Sequence, residues 1–331
     1  MKRPWLAPLV PLYAAGVALA DWRRGAAQRL KNPVVSIGNL SVGGAGKTPF
    51  TIALARLLTA RGISVDVLSR GYGRNSAKTA RVEPNGAAAD FGDEPLLIAR
   101  AAGVPVYVAG ERYQAGLLAE SDHHDGGVPA IHLLDDGFQH RQLHRDVDLL
   151  LLDRADLRDS LLPAGNLREP LHAAARADVL VIPADDPGLE ADLRGRGLRC
   201  PIWRVRRQMD IPPMPGPVMA FCGIARPAQF FSGLEAAGVR IASRKAFPDH
   251  YDYTQHVAAW LVAQARAAQA AQAAAMLTTE KDLVRLGDLG RSFPADLPLL
   301  TARLTVQIDN EGEAVEWVLA RLATGRPKPP V

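Results

Sequence analysis

One stretch restricts the possible folds more than any other: "SVGGAGKT", Ser41 to Thr48, set between the apolar run "PVVSIGNL" (33–40) and "PFTIALARLLTARG" (49–62). An apolar strand, a glycine-rich turn and an amphipathic helix in that order make a phosphate-binding loop. In such a loop, backbone N–H groups converge on an anion and a helix N-terminus adds its positive end. The lysine reaches the β- and γ-phosphates, and the hydroxyl beside it ligates Mg²⁺. The usual pattern is G-x-x-x-x-G-K-[ST], and Ser41 stands where its first glycine belongs. Three later glycines remain where the chain must hug the phosphates. The reading places Ser41, Gly43, Gly44, Ala45, Gly46, Lys47 and Thr48 around ATP, with Thr48 on the metal. Pro49 is tolerated because first-turn N–H groups have no intrahelical acceptor. The alternative is an ordinary glycine-rich turn.

A second run, "AIHLLDDGFQH" (130–140), ends an apolar strand in Asp135-Asp136. That is how a strand beside a phosphate loop brings carboxylates to Mg²⁺ or its waters. Taken alone, Asp-Gly is equally a turn; next to the Lys47 loop, the metal reading is preferred. ATPases with a second lysine early in the loop are a neighbouring class. Val42-Gly43-Gly44 supplies no such lysine.

Further short apolar runs at "SVDVLS", "VPVYVAG", "VDLLLLD" and "ADVLVIPA" alternate with helical stretches, so the fold class is α/β with parallel strands. The expected architecture is a P-loop NTPase-like sheet with helices on both faces, plus a second, smaller α/β domain. That second unit begins with "VMAFCGIARPAQFF" (218–231). It continues through an alanine-rich helix from about Thr254 to Ala274, then strand and loop at "AAMLTTEKD" (274–282). "WRVRRQ" and "LTVQI" both alternate and are candidates for a ribbon joining the two units. The expected division is an N-terminal interface helix (1–32), a kinase core (33–205), a smaller lid (206–310), and a C-terminal helix and tail (311–331) that return to the core. "GRPKPPV" reads as a frayed end.

The 331 residues are 48% hydrophobic and 22% charged, ordinary for a protein with a real core. Two cysteines, Cys200 and Cys222, make no disulfide framework and no zinc pattern. His140 and His144 are spaced i, i+4 but lack a third marked ligand. The net charge of +4 suits an anionic partner, and no motif points to nucleic acid. Through residue 32, Lys2, Arg3, Arg23, Arg24, Arg29 and Lys31 face a single acid, Asp21. They flank an apolar stretch carrying Trp5, Leu9, Leu12, Tyr13 and Leu19. It is interrupted by Pro8 and Pro11 and is shorter than the ~20 residues a spanning helix needs. A helix lying in a membrane interface fits this pattern. Packing on the protein's own core and a cleavable leader ending at Ala20 are the alternatives.

The strand and loop "IGNLSVGGAGKTP", together with "SRGYGR" (69–74), "GDEP" (92–95), "LDDGFQH" (134–140), "LREP" (167–170), "FPDHYDY" (247–253) and "TTEKD" (278–282), resemble the tetraacyldisaccharide 4′-kinase family of lipid A biosynthesis. The matches run in order over most of the chain, and a serine in place of the first loop glycine is normal in that family. The resemblance implies transfer of the γ-phosphate of MgATP to the 4′-hydroxyl of a tetraacyldisaccharide 1-phosphate. It further implies a peripheral position on the cytoplasmic face of the inner membrane, with no obligate protein partner.

By the same resemblance, Asp93 of "GDEP" is the catalytic base and His250 of "FPDHY" orients it or shares its proton. Glu94 joins Asp135, Asp136 and Thr48 around Mg²⁺ or contacts substrate. Tyr72, Arg112, Arg168 and Glu169 match positions on the substrate side. Plainer readings stand beside these: Asp93 as a helix cap, His250 as a packed loop histidine, the arginines in surface ion pairs. Thr279-x-x-Asp282 is equally a capping box or a segment approaching the adenine. The competing function is a membrane-associated P-loop ATPase switch that acts on a protein partner and transfers nothing. An exported binding protein is a third reading.

Overall fold

The computed structural model describes residues 3–22, 25–122, 130–269 and 272–324. Lys2, Arg23, Arg24 and the tail "GRPKPPV" fall outside them, as do Ala270 and Ala271 of the expected alanine-rich helix. Twelve strands are described: β1 (Val34–Asn39), β2 (Val65–Ser69), β3 (Ala80–Arg81), β4 (Val106–Val108), β5 (Ile131–Asp135), β6 (Val147–Leu151), β7 (Val179–Pro183), β8 (Ile202–Asp210), β9 (Val218–Cys222), β10 (Ile241–Ala246), β11 (Ala275–Thr279) and β12 (Leu299–Ile308). They form one sheet in the order β10-β9-β11-β12-β8-β7-β6-β1-β5-β2-β4-β3. From β2 to β8 the pairing is parallel around β1, which lies between β5 and β6. The order reverses beside β1, and that is where an open α/β sheet leaves a crevice for ligand.

The helices are α1 (Val10–Trp22), α2 (Lys47–Ala60), α3 (Ala88–Phe91), α4 (Asp93–Ala102), α5 (Arg112–Asp122), α6 (Pro187–Gly195), α7 (Pro227–Ala236), α8 (Gln255–Gln269), α9 (Glu280–Leu286) and α10 (Glu311–Ala323). α2 shows why the sequence after the loop is helical. Phe50, Leu54 and Leu58 recur every four residues and are fully buried, and Thr51 and Ala55 fill the same face. Gly62, at φ 75°, ends the turn as expected of a glycine past a helix C-terminus.

The two alternating segments do pair. β8 and β12 run antiparallel from Val205↔Ile308 to Asp210↔Arg303. β12 is long enough to pair twice: its first residues lie parallel to β11 and its last six against β8. The sheet therefore has two limbs, β3 to β8 and β12 to β10, joined through that ribbon. Each limb has its own apolar packing. Phe230, Phe231 and Leu234 cover one face of β9 and β11, and Leu261, Ala265 and Tyr253 the other. α10 contributes Ala314, Val315 and Val318 to the same cluster as Val35, Phe50 and Leu133 of the first limb.

Two boundaries differ from the sequence reading. α8 is described over Gln255–Gln269, residues 272–274 are not helical, and β11 starts at Ala275. Within "AAMLTTEKD" the strand is realised as β11, but no loop follows it: β11 passes directly into α9. Thr279 caps that helix, its side chain accepting from the Asp282 N–H at 3.2 Å and donating to Asp282 Oδ2 at 2.6 Å. The capping reading is realised in its Thr279 half.

A buried ion pair ties the strands opposite the loop end. His132 of β5 and Asp66 of β2 are both fully buried, Nδ1 to Oδ1 at 2.7 Å. Glu120 of α5 sits 3.7 Å from His132 Nε2 and accepts the Lys31 and Asn32 N–H groups, pinning the chain entering β1. Burial alone would lower the imidazole's pKa, but Asp66 and Glu120 outweigh it and raise it above the ordinary 6.5. A histidine with a raised folded pKa contributes stability that is full below 6.5 and lost as pH rises through its folded value. Urea unfolding from pH 6 upward should therefore show stability falling with pH, and His132→Gln should flatten that slope. An unchanged slope in the variant would refute a charged His132.

Candidate active site

The phosphate loop leaves β1 and enters α2. Gly43 and Gly46 take φ values of 96° and 84°, which a side-chain-bearing residue rarely adopts. Gly46 is also the residue before the first helical turn, so the first amides of α2 point back over the loop. Gly44 has no such φ, and a Cβ built there meets nothing within 4 Å, leaving its backbone open to close approach. Ser41 needs no glycine. It keeps negative φ, is 2% exposed, and pairs its backbone with Leu167, while Val42 N–H donates to Asn166 O at 2.8 Å. Its hydroxyl accepts from Asn39 Nδ2 at 3.2 Å, so its side chain faces the floor of the loop.

Lys47 Nζ donates to Asn39 Oδ1 at 2.9 Å and lies 3.4 Å from Asp136 Oδ1. Asn39 thus braces both the lysine and the start of the loop. Thr48 is buried in the first turn of α2. From β8, Arg207 Nη2 donates to Ala45 O at 2.8 Å, a support from the joining ribbon that no motif announced.

β5 delivers Asp135 and then Asp136, whose φ of 50° turns the chain sharply. Asp136 receives Arg168 Nη1 at 3.0 and 2.9 Å. Burial opposes its ionisation, but Lys47 and Arg168 keep its pKa below the ordinary value. Asp135 is the reverse. Burial, then Glu94 and Asp136, push its carboxyl up to about 7, and its Oδ1 is buried with no hydrogen-bond partner among the described residues. A paired set of carboxylates with an orphaned oxygen next to a hydroxyl-bearing first helical turn is the donor chemistry of a hard divalent cation. The residues fit Mg²⁺.

Arg112 opens α5 and is 8% exposed; its Nε also lacks a partner among the described residues. Burial and the neighbouring Arg70 lower its pKa to about 10, against the pull of Asp136 and Asp135. Among the described residues it has no carboxylate in an ion pair of its own.

Asp93 is the first residue of α4 and is 5% exposed. It is not the side-chain cap the plainer reading allowed: Gly92 occupies that position, and Asp93 Oδ1 accepts only the adjacent Glu94 N–H at 3.0 Å. Its Oδ2 lies 3.2 Å from His250 Nδ1. Burial would raise the Asp93 pKa, but the His250 hydrogen bond and the Arg285 and Lys281 charges hold it well below the carboxylate range. The same hydrogen bond raises His250. Tyr72 packs edge-on to the imidazole with centroids 5.1 Å apart and is 62% exposed.

Sequence reasoning missed two further residues of this cluster. Lys281 of α9 pairs with Glu94, and Arg285 of α9 with Asp93. Lys281 lay inside a quoted motif without a role; Arg285 is one arginine among many, marked only by its place one helical turn after Lys281.

Arg168 and Glu169 face different ways. The Arg168 guanidinium reaches Asp136, and its carbonyl accepts Tyr13 OH from α1 at 3.1 Å. Glu169 is 7% exposed, receives Arg141 and Arg176, and keeps Oε1 without a partner among the described residues. Both border a cleft of about 230 Å³ between α1 and this loop. Tyr13 therefore belongs to the inner side of α1, not to the exposed apolar face where the sequence had placed it. Trp5, Leu9, Leu12 and Leu19 are exposed, at 75%, 48%, 73% and 46%.

A parallel sheet whose switch point holds this cradle, with a carboxylate–imidazole pair alongside, defines a P-loop kinase. The model of the tetraacyldisaccharide-1-P 4′-kinase family matches residues 2–323. The tetraacyldisaccharide 4′-kinase of Koribacter versatilis is 41% identical over 326 residues, covering 94% of this chain and 97% of that protein. That of Rhodopseudomonas palustris (strain BisB5) is 39% identical over 307 residues, 89% of this chain and 86% of that one. Among solved structures, LpxK from Aquifex aeolicus in complex with ATP matches with a TM-score of 0.73 at 32% identity, over 96% of this chain and 98% of that one. The chain belongs to the tetraacyldisaccharide-1-P 4′-kinase family.

Proposed function

We propose that this chain transfers the γ-phosphate of MgATP to the 4′-hydroxyl of a tetraacyldisaccharide 1-phosphate in lipid A biosynthesis, at the cytoplasmic face of the inner membrane. The observation that carries the chemistry is the Asp93–His250 pair, 3.2 Å apart, whose neighbours Glu94 and Lys281 act electrostatically on Asp135 beside the Lys47 loop. A switch ATPase has use for the loop but none for a paired carboxylate and imidazole brought from opposite limbs of the sheet.

The loop amides from Gly43 to Thr48 cradle the α- and β-phosphates, and Lys47 holds the β- and γ-phosphates. Thr48, Asp135 and Asp136 would hold Mg²⁺, and Glu94 would join them or contact substrate. When bound, the metal neutralises charge that builds on the phosphoryl oxygens. Arg112, and Arg168 through Asp136, add positive charge on the acceptor side. The sugar hydroxyl attacks the γ-phosphorus, the bond to the β-bridging oxygen breaks, and ADP departs with that electron pair. The hydroxyl proton passes to the Asp93–His250 pair. Because the transition state is loose, the attacking oxygen keeps its proton late, so an ionised acceptor in position matters more than a strong base. Tyr72 and the cleft by Glu169 would seat the disaccharide.

We divide the chain into residues 1–32 as interface helix, 33–205 as kinase core, 206–310 as lid, and 311–331 as a segment packing back on the core. The lid carries His250 and the core carries Asp93, so their meeting requires closure of one on the other. Among the described residues no helix is long and apolar enough to cross a membrane. Four large apolar side chains of the first nineteen residues are exposed, which suits a surface-lying segment. Replacing Trp5 and Leu12 together by serine should cut sedimentation with anionic phospholipid vesicles at least ~5-fold, while leaving ATP binding intact. Retained sedimentation would refute the anchor.

The functional test is transfer of labelled γ-phosphate from MgATP to tetraacyldisaccharide 1-phosphate in detergent micelles. Labelled lipid is expected. Folded, nucleotide-binding protein that labels no lipid and hydrolyses ATP without it would leave the ATPase switch in its place.

A further inference from the structure

We propose that Arg285 is a positioning residue for the phosphoryl-transfer reaction: it grips Asp93 from the other limb of the sheet and fixes the carboxylate against His250. The proposal rests on the kinase reading above and adds a residue to it.

The geometry is specific. Arg285 Nε and Nη2 both donate to Asp93 Oδ2, at 2.8 and 2.5 Å. Its third nitrogen, Nη1, donates to Gly223 O and to Asp282 Oδ1, the latter at 3.2 Å. Asp282 is fully buried and immobilised in turn by Gly223 N–H at 2.9 Å, Tyr253 OH at 3.0 Å and Thr279. Every anchor of Arg285 except Asp93 thus lies on the β12-to-β10 limb, in the loop after β9 and on α9. Asp93 lies on α4 of the other limb. A planar guanidinium held on one edge by a rigid network and presenting the other to a carboxylate transmits orientation as well as charge.

The side from which it acts matters. Arg285 is 6% exposed, whereas His250 is 33% and Tyr72 62% exposed. The open side of Asp93 is the imidazole side, and Arg285 stands behind. Asp93 Oδ1 is taken by the Glu94 N–H, so Arg285 and His250 share the remaining oxygen. Arg285 Nη2 also comes within 3.4 Å of His250 Nδ1, and Asp249 within 4.0 Å of Nη2. Rotation of the carboxylate would break these contacts together. Lys281 pairing with Glu94 makes a second link between the same two helices, so α4 and α9 come into register as a unit. Alignment of the base then depends on closure of the two limbs, because the aligning group arrives with the second limb.

The test is a double-mutant cycle on lipid phosphorylation: Arg285→Gln, Asp93→Asn and both, with steady-state kcat and both KM values. Misplacing a catalytic group by about 1 Å costs up to ~10²-fold. Arg285→Gln should therefore lower kcat roughly 10- to 100-fold with KM for ATP and lipid changed less than about 3-fold. In the Asp93→Asn background the same change should cost less than about 3-fold, since a residue acting through Asp93 has nothing left to position. Arg285→Lys should recover part of the loss, and it carries the same cycle should the glutamine variant not fold. Equal costs in both backgrounds, an unchanged kcat, or a loss confined to KM would overturn the proposal while leaving the kinase reading intact. A wild type that labels no lipid would overturn both.

Discussion

Lys47→Ala should lower the rate of lipid phosphorylation by ~10²–10³-fold, the usual cost of removing one preorganised charge from a transition state in a water-poor site. The lysine is built to be spent on phosphate. Its ammonium rests on the neutral Asn39 at 2.9 Å and only approaches Asp136 at 3.4 Å, and it is 11% exposed. Removing it does not strand Asp136, because Arg168 still donates two hydrogen bonds to that carboxylate. Nor does it remove core packing, since the apolar face of α2 begins at Phe50. The variant should therefore fold with a melting temperature near wild type, while kcat falls and KM for ATP rises. Lys47→Arg keeps the charge but not the compact ammonium, and should recover little. A Lys47→Ala enzyme retaining a third of wild-type kcat would mean the loop binds an anion without taking part in transfer.

How far the sequence predicts this site depends on whether a residue belongs to a local grammar. The loop, its strand and its helix are consecutive, so periodicity and glycine spacing define them. The acids at the end of β5 are readable for the same reason. Even the Ser41 substitution is legible once the fold is known: that position keeps ordinary φ, and only Gly43 and Gly46 need the left-handed region. Long-range partners are another matter. Asp93 and Arg285 are 192 residues apart, and Arg207 and Ala45 are 162 apart. No pattern within either segment marks such a pair. Tyr13 went astray for a related reason. Helical spacing puts it on the apolar face, but the carbonyl of Arg168 offers its hydroxyl a partner, and a tyrosine with a partner turns its polar tip inward. The cap at Thr279 shows the opposite case, a local rule that the structure obeys because both its residues lie in one turn.

Asp93→Ala should lower kcat by ~10²–10⁴-fold, the range for loss of a positioned proton acceptor. The argument rests on which groups the carboxylate would leave behind. Arg285 keeps Asp282 and the Gly223 carbonyl, so its charge stays compensated although it is 6% exposed. His250 loses the hydrogen bond that raises its pKa, and it becomes neutral at lower pH than in the wild type. The fold should therefore survive, and ATP should bind with affinity within about 2-fold of wild type, because the hydrogen-bond and ion-pair partners of Asp93 among the described residues are Glu94, Arg285 and His250, none of them in the loop. Asp93→Asn is the sharper variant. It keeps the shape and a hydrogen-bond acceptor for Arg285, but it cannot take a proton, so its kcat should fall nearly as far as that of the alanine variant. If Asp93→Asn instead kept most of its activity, the carboxylate would serve only to orient, and His250 would be left as the proton acceptor. His250→Gln separates the two cases: a loss of ~10-fold or less suits an orienting imidazole, and a loss matching Asp93→Ala suits an imidazole that takes the proton itself. Either way the pair acts as a unit, since neither residue lies in the phosphate loop and each holds the other from an opposite limb of the sheet.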